Sequence, residues 1–241
     1  MRLRLYMHSS ADYLRSADYR ILLRKAGTLF YSDNPGIVVL KDLTEDASPA
    51  KARATENQTR IRPASREDVL TLIGTHRPDT DSDDLWQRRL RRHIVDTLGV
   101  DGCFVADVPE IGPSFMQYLF TSVDNDRLQT SFPGSFPVMT PAEAIVEFLY
   151  VAPEVRSPGL AVDGIVQVTG EARRRGADSV ISFIDPTNKG ALFVNHLAGF
   201  RAGSVRRSRR RFFRKTYAFE PWPADTSQRL IDLASGRARI S

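Results

Sequence analysis

Cysteine is almost missing from this chain: Cys103 is the only one in 241 residues. A single thiol excludes an internal disulfide framework and a multi-cysteine metal site, and it fits a reducing compartment such as the cytoplasm. Long apolar runs are missing too. None approaches the roughly 18 residues of a membrane span, so no transmembrane helix is expected. Met1-Arg2-Leu3-Arg4 has no apolar core of a secretion signal, and Asp12 and Asp18 follow closely. No internal repeat and no low-complexity tract interrupts the sequence. The remainder, 41% hydrophobic and 26% charged, is the composition of a globular enzyme-sized domain with room for a substantial core.

Net charge is +5, but it is unevenly placed. Between residues 201 and 219 stand Arg201, Arg206, Arg207, Arg209, Arg210, Arg211, Arg214 and Lys215 with no acid among them, so the rest of the chain is net acidic. Two readings stand. Such a stripe attracts an anionic partner, or it is a solvated strand pair whose arginine stems cover apolar surface.

The pattern of apolar residues, turns and caps divides the chain into an N-terminal extension (1–58), a main domain (59–220) and a tail (221–241). In the extension, Ala11 to Lys25 has a helical pattern. Thr28 to Tyr31 and Ile37 to Leu40 are strand-like, and Asp33-Asn34-Pro35-Gly36 between them predicts a turn. Such a ribbon needs to dock on the main sheet or on a second subunit, and with the C-terminal hairpin it offers strand edges for a homodimer. Residues 45–59 read as a linker. Ser65 and Asp68 have the spacing of a capping box, and Asp81-Ser82-Asp83-Asp84 opens a helix that stops at Gly99. Strands are predicted over 102–108, 115–123, 144–151 and 179–184, helices over 159–175 and 188–198, and a hairpin over 201–219. A long loop is expected from 124 to 140. The order is mixed α and β.

Glu147 to Ala161 is the most informative segment. A strand-like run breaks at Pro153, turns through Arg156-Ser157-Pro158-Gly159-Leu160-Ala161 and enters a helical pattern. A turn of this kind aims backbone N–H groups at one point beside the positive end of a helix dipole, which suits a phosphate or pyrophosphate.

From Ile61 to Phe219 the chain resembles the GNAT superfamily of N-acyltransferases. Arg156, Gly159 and Ala161 match the family's donor motif (Arg or Gln, any two, Gly, any one, Gly or Ala), behind Leu149-Tyr150-Val151-Ala152-Pro153. Asn188, Ala191, Gly199 and Phe200 match a second pattern downstream. The resemblance implies an α+β fold: a central, mostly antiparallel twisted sheet with a splayed strand pair, flanked by helices, here with the N-terminal helix and hairpin added. It also implies transfer of an acetyl or other acyl group from acyl-CoA to a primary amine, with no metal. Pantetheine would run along the backbone of Tyr150 and Val151, and Asn188 would hold it from the next helix. The pyrophosphate would rest on Arg156, Ser157, Gly159, Leu160 and Ala161. Two departures stand out. Pro158 removes one N–H from the anion turn. Where many relatives have a tyrosine that protonates the leaving thiolate, this chain has Asn195, with His196 beside it.

Direct transfer requires a base for the amine, a donor for the thioester carbonyl and an acid for the sulfur. The Val151 amide is the candidate donor. Glu147 is the candidate base: alternation places it on a face with Leu149 and Val151, and burial would raise its pKa. A Glu147 paired with a neighbouring arginine is the structural alternative. Glu143 is a second carboxylate, while His196 and Tyr150 are candidate acids. The acceptor, a small-molecule or peptide amine, would meet the 124–140 loop, where Phe132, Phe136 and Met139 offer an apolar wall, and the helix near Trp86. Two other functions fit the same residues. One is an acyltransferase fed by an acidic carrier protein docked on the arginine stripe. The other is a non-catalytic GNAT-like module that serves as a ligand sensor or binds a nucleic acid, to which Pro158 and the missing tyrosine lend weight.

Overall fold

A computed structural model describes residues 31–44, 59–74, 91–211 and 214–221, with single residues 232 and 235. The strands are β1 (Tyr31–Asp42), β2 (Ile61–Pro63), β3 (Cys103–Val108), β4 (Gly112–Thr121), β5 (Glu143–Val151), β6 (Ser179–Ile184), β7 (Arg201–Arg211) and β8 (Arg214–Pro221). The helices are α1 (Arg66–Gly74), α2 (residues 91–98), α3 (Asn125–Ser131), α4 (Pro158–Arg174) and α5 (Lys189–Leu197). The eight strands form one sheet in the order β2-β3-β4-β5-β6-β1-β7-β8. Every neighbouring pair is antiparallel except β5 and β6.

Each face of the sheet carries its own core. Ile165, Val168 and Ala172 of α4 and Leu192 of α5 cover one face, against Phe115, Val146, Val180 and Ile37. Val69 and Leu72 of α1, Val95 and Leu98 of α2, and Leu128 of α3 cover the other, against Val105, Met116, Tyr118 and Ile145. Strict alternation along β3 and β4 allows this: Phe115 and Leu119 face α4, and Met116, Tyr118 and Phe120 face the opposite way. Gly164 lets α4 approach the sheet closely, since a Cβ there would overlap the Phe115 ring. Cys103 is buried, and desolvation pushes its thiol up to about 12, so it is no nucleophile.

The strand and helix predictions from residue 102 to 221 are met within a few residues, with one correction there and one in the N-terminal extension. Where the expected ribbon is described, from Tyr31, it is a single strand, β1, and Asp33-Asn34-Pro35-Gly36 lies within it rather than in a turn. The reason is pairing. Asp33 to Gly36 oppose Arg209 to Arg206 on β7, and from Ile37 onward the strand is held by β6 as well. Pro35 is tolerated because β1 has a ladder on one side only at that point. Residues placed with the extension on sequence thus fill the sheet interior, with Ile37 and Val39 fully buried. The second correction is in the 124–140 loop, which contains α3. The predicted helix over 11–25, most of the 45–59 linker, Trp86 and nearly all of the tail lie outside the described residues.

The capping box at the start of α1 is present in both directions. Asp68 N–H donates to Ser65 Oγ (3.1 Å), and Ser65 N–H donates to Asp68 Oδ2 (2.8 Å). Arg62 joins the Asp68 carboxylate to that of Asp107. Hydrogen bonding to Arg62, ahead of the bonds from Ser65, holds the Asp68 carboxyl below the usual carboxylate range. Asp68→Ala should therefore lower unfolding free energy by about 1 kcal/mol at neutral pH. A carboxyl depressed on folding stabilises above its unfolded pKa and loses that contribution as pH falls through the folded value. Denaturant titrations of the two proteins should converge only in strong acid, and convergence already at pH 5 would contradict this account.

Candidate active site

β5 and β6 run side by side for only three residue pairs, Glu143–Ser179, Ala144–Val180 and Ile145–Ile181. Beyond them β5 bulges. Tyr118 of β4 opposes Glu147 and Met116 opposes Tyr150, so Gln117 alone faces both Phe148 and Leu149. Phe148 takes the extra residue with φ +58, a left-handed conformation costing a residue with a side chain about 1–3 kcal/mol. Its ring offsets that cost by meeting Tyr118 (5.8 Å), Phe120 and Phe136 (6.4 Å each) edge-on and Phe132 (6.1 Å) at a tilt. The bulge swings β5 away from β6 and opens a cleft of about 180 Å³, whose walls include Gln117, Glu147, Phe183, Asn188 and Asn195.

Glu147 spans the gap. Its Oε1 accepts from the Phe183 N–H (2.6 Å) and the Ser182 hydroxyl (3.3 Å). The carboxylate thus takes the place of the ladder partner that β6 loses where the strands part. Burial pushes its pKa up to about 7, and the positive charge of Arg206 and these hydrogen bonds hold it from rising further. The bulge also corrects the expected alternation. Leu149 and Val151 pack with the α4 and α5 core, whereas Glu147, two residues past Ile145, stands on the side of Ile145, Phe148 and Tyr150.

At the end of β5, Ala152 N–H donates to Ser114 O of β4 (2.8 Å). Alternation then turns the Val151 N–H to the opposite edge of the strand, toward the gap. The anion turn follows. Ser157 N-caps α4, its Oγ accepting from Leu160 N–H (3.3 Å), while Ala161 N–H donates to Ser157 O (3.4 Å). Arg156 N–H donates to Pro153 O, and its Nη2 to Val151 O (3.4 Å). Several N–H groups of the predicted cradle are therefore engaged within the turn, and Pro158 supplies none. Gly159 is different: a Cβ there would meet nothing nearer than Ser157 Oγ at 3.9 Å, so neither contact nor φ requires glycine. Gly159, Ser157 and Leu160 border a second hollow of about 240 Å³, which Val108, Pro109 and Asp163 also line.

Among the other predicted residues, Asn188 N-caps α5 through Ala191 N–H (3.0 Å) and lines the cleft. Tyr150 and His196 do not line it. Tyr150 is buried on the α1–α2 side with the Arg91 guanidinium 4.2 Å over its ring, and His196 lies half-buried on α5. Glu143 turns back to Thr140, accepting from its N–H and hydroxyl. Phe132 and Phe136 do form an aromatic wall beside Phe148, whereas Met139 is buried in the core. In the arginine hairpin, Arg207 pairs with Glu220 (2.7 Å) and Arg209 with Asp33 (3.2 Å), so part of the stripe is neutralised.

Sequence reasoning passed over Gln117. It is 2% exposed and Asn195 3%, yet Gln117 Oε1 and Asn195 Oδ1 are buried with no hydrogen-bond partner among the described residues. The Asn195 Nδ2 is fixed on Ala191 O (2.9 Å), which leaves the oxygen, an acceptor, as its uncommitted end. Nothing in the sequence marked Gln117, because its value comes from facing the bulge. Among the described residues no group of His, Cys, Asp and Glu is placed to hold a metal ion, and no helix is long and apolar enough to cross a membrane.

No protein family model and no curated protein matches this sequence. Solved structures do. A GCN5-related glucosamine N-acetyltransferase region of a fungal multi-domain GH3 β-N-acetylglucosaminidase aligns with TM-score 0.54 and 13% identity, over 80% of this chain and 22% of that one. A GNAT-family acetyltransferase from Colwellia psychrerythraea (TM-score 0.49, 14% identity, 79% and 57% coverage) and a GCN5-related N-acetyltransferase from Sphaerobacter thermophilus (0.45, 14%, 86% and 59%) are also similar. This chain thus spans only part of the length of each. The parted β5–β6 pair in a mostly antiparallel sheet, together with the first of these likenesses, shows that the chain has the fold of the GNAT superfamily of N-acetyltransferases.

Proposed function

We propose that this protein transfers an acyl group from acyl-CoA, acetyl-CoA by default, to a primary amine. The observation that carries this reading is the bulged end of β5, which brings a carboxylate of near-neutral pKa and an outward-facing strand amide to one gap. Glu147 takes a proton from the bound ammonium. The amine nitrogen then bonds to the thioester carbonyl carbon, whose oxygen gathers charge against the Val151 N–H. Collapse breaks the C–S bond. The nitrogen gives up its second proton, and water in the open cleft relays it to the departing sulfur, since Asn195 has none to provide; Glu147 returns its own proton to solvent.

The remaining features support a donor with amide N–H groups. Each unpaired buried acceptor costs about 1–3 kcal/mol, so Gln117 and Asn195 together favour a ligand that brings donors to the cleft. At the turn, Gly159 leaves room for a pyrophosphate beside the α4 N-terminus. The scarcity of free N–H groups there favours one other reading, a donor delivered by an acidic carrier protein on the β7–β8 hairpin. Activity with a carrier-bound donor alone, falling steeply with salt, would select it.

The deciding experiment screens acyl-CoA thioesters against an amine library by thiol release. With wild type, kcat/KM should rise as pH increases through about 7, because the base is the ionised form. Glu147→Gln should lose about a hundredfold or more and flatten that limb. Unchanged turnover would remove Glu147 as the base. Gly159→Val should weaken CoA binding by about tenfold in calorimetry while thermal stability holds, since the fold does not need glycine there. A wild type that binds no CoA species overturns the proposal itself, unless the carrier-bound donor is active.

A further inference from the structure

Arg206 is unlike the other arginines of the hairpin. It projects from β7 across β1, and its guanidinium lies 4.2 Å over the Phe183 ring and 5.8 Å from that of Tyr217. Nη1 donates to Ser135 O (2.9 Å) in the segment after α3. That uses one of five guanidinium N–H donors. Arg207 and Arg209 each have a carboxylate partner. Among the described residues none forms an ion pair with Arg206, which is nevertheless half-buried among aromatic rings. Glu147 does not neutralise it by contact. Its carboxylate is engaged with Phe183 N–H and Ser182, and the two charges act on each other through space. Burying a cation without an ion partner is costly, and an arginine fork in that state is suited to an oxyanion.

Phe183 ties this cation to the cleft. Its N–H holds Glu147 at 2.6 Å, and its ring carries Arg206. The same ring meets Phe136 (5.6 Å) and Phe219 (6.2 Å), and Phe136 meets Phe148 at the bulge. The side of the gap that Glu147 faces is therefore aromatic, and it carries a cation that has no ion-pair partner among the described residues.

We propose that the acceptor is an amine that also carries an anionic oxygen group, a carboxylate or a phosphate, bound by Arg206 while its amine meets Glu147 and its body lies beside Phe183. The identity of the amine rests on the acyl-transfer reading above. A neutral amine or a polyamine, with no anion to offer, would leave Arg206 without a partner and is disfavoured.

The test uses the full chain and matched pairs: α-amino acids against their decarboxylated amines, and amino-sugar phosphates against the free amino sugars. Binding is followed by calorimetry and turnover by thiol release from acetyl-CoA. For at least one pair, the oxyanion-bearing member should be preferred by about ten- to hundredfold. The pair that responds tells carboxylate from phosphate. Arg206→Gln should bring that ratio close to one, and Arg206→Lys should restore part of it. A purely structural arginine would change both members equally and leave the ratio untouched. A ratio unchanged in Arg206→Gln, a preference for the neutral members, or no binding by any member overturns the assignment. If Arg206→Gln does not fold, the wild-type ratio and the lysine variant decide. Thiol release with neutral amines alone would leave acyl transfer standing and remove this inference. Arg206-dependent binding without thiol release from any acyl donor would leave an oxyanion site at Arg206 and count against acyl transfer.

Discussion

One extra residue in β5 governs the rest of this structure. Sheet hydrogen bonding favours continuous ladders, and β5 and β6 begin one that stops after Ile145–Ile181; the left-handed residue Phe148 keeps it from resuming. Four aromatic neighbours hold Phe148 in that conformation, so the strain is carried by the core on the α1–α3 side rather than by the cleft. The result is an edge inside a sheet. Such an edge must be satisfied, and here a carboxylate from one strand accepts the N–H of the other. Glu147 is thus a structural bracket and the candidate base for the same reason: the gap that needs bridging is also the gap a substrate enters.

β1 bears on the site from the opposite direction. By lying between β6 and β7 it keeps β6 paired on its far side while the near side is open, so β6 does not need β5 for stability. It also spaces β7 one strand further from the cleft. Only a side chain as long as arginine reaches back over that distance to Phe183.

Much of this was legible in the chain. The strand-like composition of 102–108 and 179–184, the Ser65–Asp68 cap and the helical pattern from 159 are local signals, and the structure forms the elements they predict. Glu147 stood out because a carboxylate inside an apolar run must answer for its burial. Its face did not, because alternation assumes a regular strand and Phe148 breaks it. The Asp33–Gly36 segment misled for a related reason. Its turn-like composition is a local preference, and pairing with Arg206 to Arg209 overrode it.

The sequence by itself determined the order of elements from residue 102 onward apart from α3, and the Ser65–Asp68 cap, since these depend on a few adjacent residues and their dihedral preferences. Only the tertiary structure decided which residues share the cleft. Gln117, Asn195 and Glu147 are separated by dozens of positions, and Arg206 is one arginine of a run until the sheet order places it over Phe183. Contacts between distant strands follow from pairing and packing across the whole sheet, which no local pattern encodes.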